Sequence, residues 1–231
     1  MSYKPLYQIV GDDCQVLNCT VREGENWHTE PGTMMHKSES IRSSTGCGGC
    51  GECCSRCCSG ESAFMVSFTN RGPTEGYLGL TPNFPAKIVP IDLDEMGAFN
   101  CRKGYYMCHH GEDVHVSITC DTNCLSCCCG GTGEFVMQKI SGKGTAFVNA
   151  GGTILTKKLM HGESIQVDSE SVIGWQDGVG HTVKRAGGCL TMCCSGEGMF
   201  NTLLTGPGLV MLMSFGVERY KECLMPVPAQ Q

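Results

Sequence analysis

Three clusters of cysteine hold most of the reactive side chains of this sequence. The chain has 19 cysteines. Those in the clusters are Cys47, Cys50, Cys53, Cys54, Cys57 and Cys58; Cys120, Cys124, Cys127, Cys128 and Cys129; and Cys189, Cys193 and Cys194. Thiolates two residues apart can chelate one soft cation, and four of them at tetrahedral geometry form a structural zinc site. We therefore predict metal ligands among Cys47, Cys50, Cys53, Cys57, Cys124, Cys127, Cys128, Cys189 and Cys193.

The spacing leaves the identity of the metal open between zinc, copper(I) and an iron–sulfur centre. The run Cys47-x2-Cys50-x2-Cys53-x3-Cys57 has the spacing of a bacterial iron–sulfur motif, although Cys58 stands where proline is usual. Three other interpretations remain open: a thiol-redox module, S-acylation of paired cysteines, and cysteine as a small residue in glycine-rich connections. The number of cysteines is odd, and the chain shows no secretory signal that would take it to an oxidising compartment. Both observations argue against a disulfide framework.

Histidine offers a second set of ligand or acid–base groups. The segment Cys108-His109-His110 resembles a ligand cluster, and His115 follows an alternating, strand-like pattern. The remaining histidines lie in turn-like surroundings without a partner visible in the sequence: His28, His36, His161 and His181. For each histidine we expect a solvated or structural role.

The cysteine clusters mark an internal repeat. Each cluster precedes a glycine-containing turn and an anchor phenylalanine, namely Phe64, Phe135 and Phe200. A turn glycine precedes each phenylalanine at a nearly constant distance: Gly24, Gly97 and Gly162. Such periodicity predicts three similar units, roughly residues 6–84, 85–150 and 151–225. A unit of this length cannot bury its apolar face alone, so we expect one domain, residues 1–231, with a shared core.

Alternating segments and scattered glycines predict an all-β fold. Segments such as residues 114–118 and 164–168 have the period of half-buried strands, and 32 glycines punctuate the chain. The segment most tolerant of a helix is residues 217–224. We predict a single β-sandwich or prism of three pseudo-equivalent repeats.

Composition excludes several classes of function. The net charge of −6, without a cluster of basic residues, argues against a nucleic-acid partner. The start of the chain has neither the apolar segment of a signal peptide nor an Arg-rich transit peptide, and no apolar run has transmembrane length. We therefore expect a soluble, cytoplasmic protein. The chain lacks a phosphate-binding loop, a nucleophile elbow, an H-E-x-x-H motif and a dinucleotide fingerprint, so we predict that it is not an enzyme.

The repeated Glu-x-x-Phe segments and the turns that follow them resemble a known family. So do residues 159–168 and the segment from Phe200 to Gly206-Pro207-Gly208. Over nearly its whole length the chain is similar to the altered-inheritance-of-mitochondria protein twenty-four family, also described as a mitochondrial-biogenesis or TRAP-like domain. The resemblance implies a TRAP-like all-β fold, with the motif glycines in turns and the motif phenylalanines, such as Phe64, in the core. From fungal members it also implies a link to mitochondrial membrane organisation and a mitochondrial location.

These observations lead to two predicted functions. The first is a non-enzymatic scaffold or interaction protein with a protein partner, for which homo-oligomerisation stays open. The second is a cysteine-rich metal-binding or thiol-redox module on the same scaffold.

Overall fold

The computed structural model describes residues 6–46, 64–111, 113–120, 136–185 and 200–224. In this part of the chain, 19 strands, two short α-helices and one 3-10 turn are present. The all-β class predicted from the sequence is confirmed. The chain divides into two compact units, Met1–Asn149 and Ala150–Gln231. The division falls where the third predicted repeat begins.

The first unit is built from short antiparallel strands. They are β1 (Tyr7–Val10), β2 (Val16–Val21), β3 (Asn26–Thr29), β4 (Met34–Lys37), β5 (Ile41–Gly46), β6 (Met65–Asn70), β7 (Gly76–Leu80), β8 (Lys87–Asp92), β9 (Phe99–Arg102), β10 (Tyr106–His110), β11 (His115–Cys120), β12 (Val136–Ser141) and β13 (Thr145–Ala150). The helix α1 (Leu93–Met96) follows β8. One sheet has the order β1-β2-β7-β4, and a second has the order β5-β6-β3-β10-β13-β8. Strands β11, β12 and β9 pair in that order.

The second unit is also built from short antiparallel strands. Its elements are β14 (Ile154–Leu159), β15 (Ser164–Asp168), β16 (Val172–Gln176), β17 (Gly180–Arg185), β18 (Phe200–Thr205), β19 (Gly208–Met213), the 3-10 turn Ser169–Ser171 and the helix α2 (Val217–Leu224). Strands β14, β19 and β16 pair in that order, as do β15, β18 and β17. Helix α2 forms in the segment that the sequence marked as most tolerant of a helix.

Three segments of six strands share one pairing scheme. In each, the first and third strands pair with the sixth, and the second and fourth pair with the fifth. The pairs are β2–β7, β4–β7, β3–β6 and β5–β6; β8–β13, β10–β13, β9–β12 and β11–β12; and β14–β19, β16–β19, β15–β18 and β17–β18. This scheme is what the predicted repeat would produce, although the repeat itself stays a prediction.

The turn glycines behave as the sequence indicated. Gly24, Gly97 and Gly162 have φ angles of 77°, 71° and 78°, a left-handed conformation that favours glycine. The anchor role of Phe64 was wrong, because its side chain is 53% exposed and strand β6 begins one residue later. Phe135 lies outside the described residues.

The core of the first unit forms between its two main sheets. In β2, Leu17, Cys19 and Val21 alternate with more exposed residues and point into this core. The opposing sheet contributes Trp27 and Phe147, and Tyr7 of β1 meets the Phe147 ring edge-on at 4.9 Å. Burying each such large apolar side chain stabilises the fold by roughly 1.5–3 kcal/mol.

Asn70 joins several backbone segments inside the first unit. Its side chain is fully buried. The Nδ2 group donates to the carbonyl oxygens of Val21 at 2.9 Å and Thr74 at 2.7 Å, and Oδ1 accepts from the Gly72 N–H at 3.0 Å. One amide thereby satisfies three main-chain groups of β2 and of the β6–β7 turn.

In the second unit, an ion pair attaches helix α2 to the 3-10 turn. Arg219 Nη2 lies 2.9 Å from Asp168 Oδ2, and Arg219 Nε lies 3.7 Å from Glu170 Oε2. Asp168 also caps the turn by accepting from the Glu170 N–H at 3.1 Å. Because the Arg219 side chain is 43% exposed, water weakens this attachment.

We expect the substitution Asn70→Ala to lower the free energy of unfolding by about 2–4 kcal/mol, because it leaves buried main-chain groups without partners. Urea denaturation followed by circular dichroism measures the change. Asn18→Ala, at an exposed position of β2, is the matched control and should change the value by less than about 0.5 kcal/mol. Equal effects of the two substitutions would contradict the role of Asn70.

Candidate functional site

The predicted metal ligands lie outside the described residues. These are Cys47, Cys50, Cys53, Cys57, Cys124, Cys127, Cys128, Cys189 and Cys193. The residues that border the clusters are described, and in each case they are register partners on antiparallel strands: Gly46 with Met65, Cys120 with Val136, and Arg185 with Phe200. Apart from Cys120, which ends β11, the clustered cysteines therefore fall in the sequence between the fourth and fifth strands of each segment.

The cysteines whose side chains are described do not form a metal site. Within the described ranges, no group of three or more His, Cys, Asp or Glu residues is placed to hold a metal ion. Cys19, Cys101 and Cys108 are buried, whereas Cys14 and Cys223 are exposed. Burial raises the pKa of the Cys19 and Cys108 thiols well above the ordinary range, so these two stay protonated and unreactive.

A cluster of histidines crosses the six-stranded sheet of the first unit. His28 of β3 is the register partner of His109 of β10 and, on its other side, of Ser67 of β6. The two imidazole rings are stacked, with centroids 5.0 Å apart and an interplanar angle of 26°. His28 Nδ1 lies 2.9 Å from Ser67 Oγ. The strand register thus aligns a hydroxyl group and two imidazoles in one row.

Tyr106 completes this row. Its hydroxyl lies 2.6 Å from His109 Nδ1 and also donates to the His28 carbonyl oxygen at 3.5 Å. A bulge between Tyr106 and Cys108 shifts the β10–β13 register at this point. Tyr106 is 2% exposed and His109 is 5% exposed, so both polar groups depend on partners within the protein.

Burial keeps the imidazoles of this cluster neutral. It is the main cause that lowers the pKa of His109 to about 3, and the nearby His28, His110 and His115 lower it further. The pKa of His28 is lowered by burial and then by His110. Burial also lowers the pKa of His110, where Glu25 acts in the opposite direction. Neutral rings held by hydroxyl groups can cross-link strands without carrying charge.

The sequence missed most of this cluster. Cys108-His109-His110 was singled out as a ligand-like group, but His28 was placed in a turn without a partner, which was wrong. His28 lies in β3, and its partner is far away along the chain. Burial alternates along residues 26–29, with Trp27 and Thr29 buried and Asn26 and His28 less buried. An alternation of this kind is typical of a strand and would have placed His28 in a sheet.

A second feature is the exposed edge formed by Met34, Met35 and His36 of β4 with Tyr77 of β7, which we call the β4 edge. In the described part of the chain, β4 pairs only with β7 and is the last strand of its sheet. Met34 is 43% exposed, and Met35 and Tyr77 are each 61% exposed. A bulge separates Met34 from His36.

The β4 edge is shaped by a close contact between His36 and Gly79. The His36 ring covers Gly79 so closely that a Cβ atom at position 79 would overlap with the ring. The ring also lies 5.8 Å from that of Tyr77. His36 and Tyr77 therefore pack together on one face of this edge, whereas Met34, the register partner of the core residue Leu80, lies toward the other face.

We expect Tyr106→Phe to lower the free energy of unfolding by about 1–2 kcal/mol, because it removes the hydroxyl partner of the buried His109 Nδ1. Tyr77→Phe is the matched control, since its hydroxyl belongs to an exposed side chain, and should be nearly neutral. Chemical denaturation at pH 7.5 measures both. A loss of stability that is equal in the two variants would show that the Tyr106–His109 contact does not stabilise the fold.

Comparisons with known proteins identify relatives in bacteria. The chain is 24% identical over 213 residues to an uncharacterised protein, M6_Spy0233, of Streptococcus pyogenes serotype M6, with 89% of this chain and 83% of the relative covered. The X-ray crystal structure of protein SPYM3_0169 from Streptococcus pyogenes is similar with a TM-score of 0.74 and 22% identity, and the match covers 94% of this chain and 97% of that one. This likeness shows that the two proteins share a fold.

Of the helices in the described residues, none has the length and apolar character needed to cross a membrane.

A protein-family model described as "Mitochondrial biogenesis AIM24" matches residues 7–215, which is most of the chain. The chain therefore belongs to the AIM24 family, as the motifs of its sequence indicated.

Proposed function

We propose that this chain is a non-enzymatic interaction protein that binds a protein partner at the β4 edge. The observation that carries the proposal is the position of β4 at the end of its sheet, with Met34 and Met35 exposed. An edge strand presents unpaired main-chain donors and acceptors, and an extended peptide can add to it as a further strand.

The side chains of the β4 edge suit such a partner. Methionine is flexible and polarisable, so it adapts to differently shaped apolar surfaces. Tyr77 supplies a large, amphipathic contact surface of the kind enriched at protein interfaces. Lys37 and the bulge limit unwanted pairing between edges, because charge and irregular geometry disfavour uncontrolled strand addition.

The histidine cluster supports a non-enzymatic role. Among the described residues, Ser67 Oγ and His28 Nδ1, 2.9 Å apart, resemble a catalytic pair. His28 stacks on a second neutral imidazole, His109, where a nucleophilic triad would need an orienting carboxylate. The same hydroxyl–imidazole contacts have a clear structural purpose, since they link three neighbouring strands.

We expect a photo-crosslinking amino acid at position 35, introduced into the full chain in its native cells, to capture a partner that a crosslinker at position 160 does not. Met160 is 67% exposed in the second unit and serves as the matched control. With the partner purified, Met35→Glu should weaken binding at least about tenfold, because it places a charge in an apolar contact. Met160→Glu should leave the affinity unchanged. Equal capture at both positions, or equal affinity of both variants, would count against the β4 edge.

The second candidate function is a cysteine-rich metal-binding or thiol-redox module. It is favoured by the register partners that border each cluster, because the same connection carries cysteines in all three segments. Zinc, copper or an iron–sulfur centre fits clustered thiolates. The ligands we propose are those named from the sequence, beginning with Cys47, Cys50, Cys53 and Cys57.

We expect protein purified without oxygen to contain stoichiometric metal, with about four thiols protected per tetrahedral zinc. Elemental analysis and thiol titration measure these quantities. Serine at all four of Cys47, Cys50, Cys53 and Cys57 should remove metal, whereas the control pair Cys14→Ser and Cys223→Ser, at exposed positions outside the clusters, should not. Freely reactive thiols in a metal-free, folded protein would eliminate this function.

We further propose that residues 6–84, 85–150 and 151–225 are repeats of one domain, and that the protein is cytoplasmic. The common strand pairing of the three segments supports the first statement. The streptococcal relative supports the second, since bacteria have no mitochondria. A role in mitochondrial membrane organisation is the alternative, and fractionation of native cells distinguishes the two locations.

A further inference from the structure

The His28–His109 pair joins β3 to β10 in the middle of the six-stranded sheet. The strand order β5-β6-β3-β10-β13-β8 places three strands on each side of this junction. Three register pairs form it, namely Thr29 with Cys108, His28 with His109, and Trp27 with His110, and the Glu30 N–H donates to the Met107 carbonyl oxygen at 2.8 Å beside them. With three register pairs the junction is short. Because two of these pairs contain histidine, its side chains can change charge.

We propose that the His28–His109 pair is an acid-operated latch, which holds β3 and β10 together while both rings are neutral and releases the strands when protons enter. The proposal goes beyond the proposed binding function, because it concerns a change inside the first unit and not the β4 edge. It rests on the stacked rings 5.0 Å apart and on the hydroxyl groups that hold both Nδ1 atoms.

The described neighbours of the latch are histidines and uncharged groups. His28 of β3 stacks on His109, and the Tyr106 hydroxyl of β10 lies against its Nδ1 atom. His110 of β10 and His115 of β11 act on His109 electrostatically and oppose its protonation. On β13, the register partner of His109 is the apolar Ala146. On β6, the partner of His28 is the neutral Ser67.

The neighbouring histidines oppose protonation of His28 and His109. Among the described residues, the ionisable groups that act on His109 are the histidines His28, His110 and His115, so each additional proton repels the next. Glu25 and Arg22 act in opposite directions on His110, at the end of the junction. The pair at the centre of the junction therefore gains charge only at the expense of the stacked arrangement.

The direction of the pH dependence follows from where the proton binds. An unfolded histidine has a pKa of about 6.5, whereas the pKa of His109 in the folded protein is lowered to about 3. Between these values the opened chain binds a proton that the closed chain does not, so acid favours opening. One such site increases the ratio of open to closed molecules by up to about tenfold per pH unit. Aspartate and glutamate titrate mainly below about pH 5, so the range from about 6.5 to 5 isolates the histidines.

Opening of this junction would expose Trp27. Its ring is fully buried and lies 5.0 Å from the ring of His110. The chain contains two tryptophans, and the other, Trp175, lies in the second unit. A Trp175→Phe background therefore leaves Trp27 as the single fluorescent reporter of the β3–β10 junction.

The test uses the full chain with Trp175→Phe and measures urea unfolding by Trp27 fluorescence between pH 7.5 and 5. We expect the urea concentration at the unfolding midpoint to decrease as the pH is lowered from 6.5 to 5, because opening takes up a proton. His109→Gln in the same background should flatten this dependence. His161→Gln is the matched control, because His161 is exposed in the second unit, and should keep the slope of the parent protein. Equal slopes in the His109→Gln variant and the parent would overturn the proposal.

A second measurement keeps the proposal testable if His109→Gln does not fold. The C2 proton resonances of the histidines are followed by NMR in the parent protein as the pH is lowered. We expect the His109 resonance to stay at its neutral position down to pH 5 in the folded species, while an unfolded species accumulates. A His109 resonance that titrates near pH 6.5 in a protein that remains folded would overturn the latch.

Discussion

The register between β3 and β10 determines both the core and the polar cluster of the first unit. Neighbouring residues of a strand point to opposite faces, so Trp27 enters the core while His28 points to the other face. A shift of one residue would move His28 into the core and expose Trp27, which explains why so short a junction can tolerate only one register. The Trp27–His110 contact and the His28–His109 stack are two consequences of the same pairing.

Buried polar side chains hold the first unit together in two different ways. Asn70 cannot change its charge in the ordinary pH range, so its three hydrogen bonds to main-chain groups hold at every pH at which the protein is folded. His109 occupies an equally protected position, but its contacts depend on a neutral ring. The first interaction resists acid and the second does not. The unit therefore combines a constant connection near β2 and β6 with an acid-sensitive one between β3 and β10.

Local features of the fold could be predicted from the sequence, and non-local features could not. The turn glycines Gly24, Gly97 and Gly162 were identified because a left-handed φ is a property of one residue. The all-β class and helix α2 follow from short-range patterns. The partner of His28 depends on which distant strand lies beside β3, and periodicity carries no information on that choice. Phe64 failed as a core anchor because the repeated motif defined its distance from a turn but not whether its side chain is buried.

Most of the clustered cysteines fall in the sequence between strands that pair with each other. The described strand ends that border the clusters are register partners, such as Gly46 and Met65. Connections between paired strands tolerate changes of composition far better than the strands do, because few of their main-chain groups are needed by the sheet. A family can then keep one arrangement of strands while a member fills these connections with cysteine. For this reason, membership of the AIM24 family accounts for the strands, and the chemistry of the thiols must be established from this chain itself.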